Sequence, residues 1–182
     1  FAETMAELTK LKEEGKIRHV GVSNFSEKQI EDAQEYLQID VQQPPFSMVN
    51  RNFVDLMKWG MERGIDSMTY GSLGSGILSG AIRTLPDFAP GDMRLTFYDF
   101  FREPKFSKIM ELLKTMDQIA AKHGKPVAQI AINWSTAQDF VGTALVGVRN
   151  EQEAMENCAA FDWQLEDDEV ALLNAELERL EI

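Results

Sequence analysis

The stretch IRHVGVSNFSEKQIEDAQEYLQIDVQQPP (Ile17–Pro45) holds the pattern on which the fold turns. IRHVGV (Ile17–Val22) reads as a strand ending at Ser23-Asn24. Ser26 followed three residues later by Gln29 forms a capping-box pair, which predicts a helix from there to about Leu37. IDVQQ (Ile39–Gln43) is a second short strand, stopped by Pro44-Pro45 because proline cannot donate to a sheet ladder. A strand, a helix and a strand in so short a span imply a parallel pair joined by a helical crossover.

The same alternation continues on both sides. Residues 2–14 read as a helix with Met5, Leu8 and Leu11 on one stripe and Gly15 as the stop. A helix is predicted from Phe53 to Arg63, ended by Gly64, and IDSMTY (Ile65–Tyr70) is a third strand. From Gly71 to about Lys105 no period emerges, and glycines stand at 71, 74, 76, 80 and 91. Loops of that length in a compact domain are usually functional or disordered. A helix from about Ser107 ends at Gly124, and Pro126 opens another that runs to about Gln138. GTALVGV (Gly142–Val148) is a fourth strand, Asn150 with Glu153 marks a helix start, and a last helix covers about Asp167–Leu180.

Strand–helix units repeated in this way predict an α/β fold with a parallel sheet. A complete eight-stranded barrel typically needs about 250 residues, so four strands in 182 residues make about half of one. An open doubly wound sheet is the alternative, weakened by the absence of G-x-G-x-x-G after an early strand. Hydrophobic residues are 44% and charged residues 26% of the chain, an ordinary globular mix. The net charge of -12 disfavours nucleic acid and anionic membranes as partners. One cysteine, Cys158, permits neither an internal disulfide nor a zinc ligand set, which fits a reducing cytoplasm. No apolar run of membrane-spanning length and no signal peptide are visible. The sequence opens on Phe1 rather than Met, so a preceding segment is expected.

In parallel barrels, chemistry collects where strands end and helices begin. The four ends offer Ser23-Asn24, Gln43, Tyr70-Gly71 and Gly147-Val148-Arg149. No carboxylate pair, histidine cluster or nucleophile–base pair is among them, so metal hydrolysis and acyl transfer are poorly supported. The set suits a nicotinamide. Asn and Gln each offer a donor and an acceptor to a carboxamide, and Tyr can stack on a heteroaromatic ring. Arg149 precedes a predicted helix N-terminus, where phosphate is favoured. Singly, each has a plainer reading: Ser23-Asn24 as a turn, Gln43 as an edge polar residue, Tyr70 as packing, Arg149 as a solvated cation. Jointly, at successive strand ends, they point to a cofactor.

Five segments then resemble the aldo-keto reductase family, in the family's order. GKIRHVGVSNFS (Gly15–Ser26), QPPFSMVNR (Gln43–Arg51) and TYGSLGSGILSG (Thr69–Gly80) are similar to its fifth, sixth and seventh barrel strands with their loops. AQIAINW (Ala128–Trp134) and LVGVRNEQEAMEN (Leu145–Asn157) resemble its last helix–strand–helix. The resemblance implies the second half of a (β/α)8 TIM-type barrel across residues 1–182, from an NADP(H)-dependent oxidoreductase that reduces aldehydes or ketones, with NAD the less favoured cofactor. Ser23, Asn24 and Gln43 match residues that bind the carboxamide, and Tyr70 the aromatic that stacks on the nicotinamide. Gly71, Leu73 and Gly74 match the pyrophosphate loop. Gly147, Arg149, Glu153 and Asn157 match positions around the adenosine end, and Arg94 in GDMR resembles an arginine of the loop that folds over the cofactor.

The chain departs from the family's pattern at several positions. Gly71-Ser72 stands where Ser-Pro is common, Ala81 where a lysine often follows the loop glycine, and Glu153 where many relatives have Gln, which bears on NADP against NAD. The family's Asp, Tyr, Lys and His tetrad belongs to its first four strand–helix units, to which nothing here corresponds. His19 falls early in its strand, and His123 sits at a helix end where a cation favours the dipole. The resemblance therefore implies no catalytic residue in this chain and an oxidoreductase whose other half lies elsewhere. A cofactor-binding regulatory subunit, as among potassium-channel β subunits, and a half-barrel that pairs with itself are the alternatives.

Overall fold

The computed structural model describes residues 1–182, the side chain of Leu95 excepted. In chain order the elements are α1 (Ala2–Glu13), β1 (Gly21–Ser23), α2 (Glu27–Gln34), β2 (Val41–Gln43), α3 (Val54–Met61), β3 (Asp66–Thr69), α4 (Arg94–Phe97), α5 (Lys105–His123), α6 (Val127–Thr136), β4 (Thr143–Ala144), α7 (Glu151–Cys158) and α8 (Asp167–Arg179). The four strands form one sheet in sequence order, and every pairing is parallel. Among the described residues no helix is long and apolar enough to cross a membrane.

The local signals work where they involve neighbours in sequence. Ser26 and Gln29 form the reciprocal capping box that opens α2. Gly124 ends α5 at φ +63, a conformation that costs glycine nothing. Pro126 caps α6, and the Asn150 side chain accepts from the Glu153 amide at the start of α7.

The strands are shorter than expected. Ile17–Val20 stays outside β1 because the Asp40 carboxylate takes the Val20 N–H at 2.8 Å, while the Val20 carbonyl accepts from the Asp40 amide. β1 instead takes in Ser23. β4 has a partner only on the β3 side, and ordered pairing stops after Leu145 donates to the Thr69 carbonyl at 2.7 Å. The stretch from Gly71 to Lys105 contains 3-10 turns at Gly74–Ser79 and Asp99–Phe101 as well as α4, and its Ile77, Leu78, Phe100 and Phe101 belong to the main core.

The two faces of the sheet differ. Gln42, Ser67 and Thr69 are buried, and the Gln42 amide donates to the Leu56 carbonyl of α3 and to the Ser67 hydroxyl. On the opposite face Gly21, Ser23, Asp66 and Thr143 are exposed, and Val41, Gln43 and Met68 are half-buried. The helices therefore cover one face and leave the other open. The main core lies under the C-terminal half of the sheet, around Phe46, Met57, Leu112, Trp134 and Leu173. A smaller core of Met5, Val20, Ile30, Ala33, Ile39 and Ile65 supports the first two strands.

Candidate functional site

Parallel pairing puts all four strand C-termini on one rim, and side chains join them across it. The Ser23 hydroxyl donates to the Gln43 carbonyl at 3.0 Å, linking β1 to β2. Asn24 stands at φ +58, a left-handed conformation that asparagine tolerates, and its Oδ1 accepts from the Tyr70 hydroxyl at 3.0 Å. That bond carries Tyr70, just past β3, to the residue that follows β1. The Gln43 amide meets Met68 only through a weak 3.5 Å contact with sulfur. No protein group takes up Asn24 Nδ2 or Gln43 Oε1 among the described residues. The rim thus presents a free amide donor and a free amide acceptor, the complement of a carboxamide.

Beyond Tyr70 the chain turns through Gly71 at φ +78 and Gly74 at φ +53. A side chain at Gly74 would press on Val49 at 2.8 Å, so glycine is required there on both counts. The backbone N–H groups of Gly71, Ser72 and Leu73 have no hydrogen-bond partner among the described residues, although Ser72 is only 1% exposed. Successive unpartnered amides in a turn suit an anion such as a pyrophosphate. Ser72 donates its hydroxyl to the Leu145 carbonyl at 3.3 Å, tying this loop to β4, and Leu73 packs its side chain on the main core. A small cleft beside the loop is lined by Pro45, Asn50, Tyr70, Gly71 and Tyr98, among others.

The third part of the rim lies past β4. Arg149 is 88% exposed and pairs with Glu153 one helical turn on. Its amide reaches a Glu153 carboxylate oxygen at 2.8 Å, and its guanidinium reaches the other at 2.7 and 3.1 Å. The guanidinium and amide hydrogen bonds of Arg149 hold the Glu153 carboxyl below its usual range. Glu153 raises Arg149 in turn through its hydrogen bond and charge, against burial and, least, the charge of Arg94. Arg94 lies over the Phe88 ring at 4.5 Å and its guanidinium donates to both carboxylate oxygens of Asp92, whose carboxyl is lowered to about 2 by the guanidinium and backbone N–H bonds from Arg94. Asn157 donates to the Gly147 carbonyl at 3.5 Å.

The structure therefore brings together Ser23, Asn24, Gln43 and Tyr70, adjoins Gly71, Leu73 and Gly74 to them, and clusters Gly147, Arg149, Glu153 and Asn157 with Arg94 nearby. Sequence reasoning missed Asp92 and Phe88 as the supports of Arg94; the Asp-x-Arg spacing was the available signal for the first. It also missed Tyr98 beside the loop, which no local pattern announces. The two histidines lie away from this rim. His19 precedes β1 and sits 3.6 Å from Asp40. His123 ends α5, lies tilted against the Trp163 ring at 4.7 Å and bonds to Glu169 at 2.8 Å.

A model of the aldo/keto reductase family matches residues 1–178, and the chain belongs to that family. It is 30% identical over 182 residues to an NADH-specific methylglyoxal reductase of Escherichia coli (strain K12), covering 100% of this chain and 55% of that protein. It is also 30% identical over 167 residues to an aldo-keto reductase of Schizosaccharomyces pombe designated NADP(+), covering 90% of this chain and 49% of that protein. The structure of a glycerol dehydrogenase from Gluconobacter oxydans superposes with a TM-score of 0.88 at 31% identity, over 98% of this chain and 54% of that one. The chain spans about half the length of the relatives it matches.

Proposed function

We propose that residues 1–182 form the cofactor side of a carbonyl-reducing oxidoreductase, as strands five to eight of an aldo-keto reductase barrel. The observation that supports it most is the convergence on one rim of an unpaired amide donor, an unpaired amide acceptor, an aromatic ring and three unpartnered backbone N–H groups. A nicotinamide dinucleotide supplies the hydride for carbonyl reduction when bound. Asn24 Nδ2 donates to its carboxamide oxygen and Gln43 Oε1 accepts from its amide. Ser23, tied to the Gln43 carbonyl, holds the two strand ends in register. The Tyr70 ring stacks on the nicotinamide, and the Gly71–Gly74 turn receives the pyrophosphate.

The proton that a nascent alkoxide needs comes from outside this rim, since the Tyr70 hydroxyl is committed to Asn24 and neither histidine is near. General acid catalysis typically contributes about 10²–10⁴-fold. A folded sample of residues 1–182 is expected to bind NADH or NADPH in a fluorescence titration and to show no family-like oxidation of either with an aldehyde substrate. Turnover at family-like rates would place the proton donor within this chain and overturn that part of the reading. Binding of neither cofactor would overturn the whole of it.

A further inference from the structure

The adenosine end carries the farther-reaching observation. Arg149 is the residue that would receive the 2′-phosphate distinguishing NADPH from NADH, and in the structure its amide and guanidinium are already taken up by Glu153. Arg94, the other cation of this cluster, is likewise bound through its Nε and Nη2 by Asp92. Two cations and two carboxylates leave the cluster with no net charge. A phosphate monoester carries roughly −1.5 to −2 near neutral pH, so it must displace a bidentate carboxylate and then lie beside it. A 2′-hydroxyl has the opposite relation to Glu153. It donates a hydrogen bond, and the Glu153 carboxylate, half-buried at the helix start, accepts one.

The geometry points to Glu153 as a specificity-determining residue: its carboxylate occupies the anion seat of Arg149 and accepts from the adenosine 2′-hydroxyl, so that the site takes NAD(H) in preference to NADP(H). The same logic, an acidic residue on an unphosphorylated ribose, operates in dinucleotide sites of other folds. Glu153 is placed for it by sequence alone. It is four residues after Arg149 and three after Asn150, whose side chain fixes the Glu153 amide at 2.9 Å. The i, i+4 spacing makes the ion pair local to the helix start, so it forms without help from any distant residue. Glutamine at this position would keep the length of the side chain and release the guanidinium.

This inference rests on the dinucleotide reading of the rim, and the test separates the two. The folded chain is titrated calorimetrically with NADH and NADPH, and the titrations are repeated with E153Q and with the double substitution R149A/E153Q. The expected result is tighter binding of NADH by the unsubstituted chain. E153Q should tighten NADPH by roughly tenfold, the scale of one charge-assisted hydrogen bond regained, and weaken NADH. R149A/E153Q should lose the gain for NADPH. Equal or tighter NADPH binding by the unsubstituted chain, or an E153Q variant with unchanged preference, overturns the role of Glu153 and leaves the dinucleotide reading standing. Binding of neither cofactor by a chain that circular dichroism shows to be folded overturns both.

Discussion

Tyr70 serves two purposes that substitution can separate. Its ring is the proposed stacking surface, and its hydroxyl holds Asn24 by a 3.0 Å hydrogen bond across the end of β2. Tyr70→Phe keeps the ring and deletes the tether. An uncharged hydrogen bond of this kind contributes about 0.5–1.5 kcal/mol net, so cofactor binding should weaken by no more than roughly tenfold. Tyr70→Ala removes the ring as well. Stacking of a base on an aromatic side chain is worth about 1–3 kcal/mol, which adds a further factor of roughly five to 140. The nicotinamide ring is common to NADH and NADPH, so both should weaken alike, in contrast to the substitutions at Glu153.

The assay is a calorimetric titration of each variant with NADH and with nicotinamide mononucleotide, which lacks the adenosine end. Urea midpoints taken alongside separate lost binding from lost folding. A double-mutant cycle of Tyr70→Phe with Asn24→Ala should show a coupling close to the cost of the tether, because the two changes remove the same bond. Identical affinities for the Phe and Ala variants would show that the ring contributes nothing and would refute the stacking assignment.

Two further expectations concern the frame of the site. Burial alone would raise the Glu169 carboxyl, but hydrogen bonds from Lys122, the Glu166 amide and His123 outweigh it and lower the carboxyl from 4.5 to about 2. A depressed folded value means the stabilisation is present above about pH 4.5 and is lost as the pH falls towards 2; it amounts to about 3 kcal/mol, and urea midpoints of Glu169→Gln should show a correspondingly flatter acid limb, a parallel limb counting against the network. Gly74→Ala should cost about 2–4 kcal/mol, from left-handed backbone strain plus overpacking against Val49, whereas Gly71→Ala meets open space and should cost only the strain; equal urea midpoints for the two would refute the packing part.

What the sequence made legible were features set by near neighbours. The capping box at Ser26, the left-handed stop at Gly124 and the Asn150 cap all operate within a few residues, and all stand where they were expected. The parallel order followed from alternation. Strand extent did not, because it depends on the partner: Asp40 intercepts the Val20 amide from 20 residues away, and β4 is paired on one side only. His123 was read through the helix dipole, while its actual partner, Glu169, is 46 residues distant and invisible to any local pattern. The irregular stretch after Gly71 hid Phe100 and Phe101, which are core residues in a turn too short to show a period. At the site, the first three strand ends were readable to within a residue, because each lies where apolar alternation breaks off, whereas β4 ends at Ala144 rather than at the expected Val148. The Arg149–Glu153 pair has the i, i+4 spacing of a helical ion pair, but the arginine was read from the sequence without this partner.

The open face of the sheet gives the half-barrel reading its physical content. Parallel sheets are ordinarily covered on both faces, yet here only the face bearing Gln42, Ser67 and Thr69 is buried. The chain exposes 10415 Å², and a monomeric globular protein of this mass typically exposes roughly 8,900 Å², about 1,500 Å² less. An excess of that size exceeds what each partner contributes to a standard protein interface. The residues on the uncovered face, Gly21, Ser23, Val41, Gln43, Asp66, Met68 and Thr143, point where the interior of a closed barrel would be, and two of them belong to the proposed nicotinamide seat. On this reading the surface that completes the barrel also completes the site: it covers the open face, shields the nicotinamide from water and brings the proton donor that the rim does not have. Cofactor recognition and proton transfer then lie on opposite halves of one barrel.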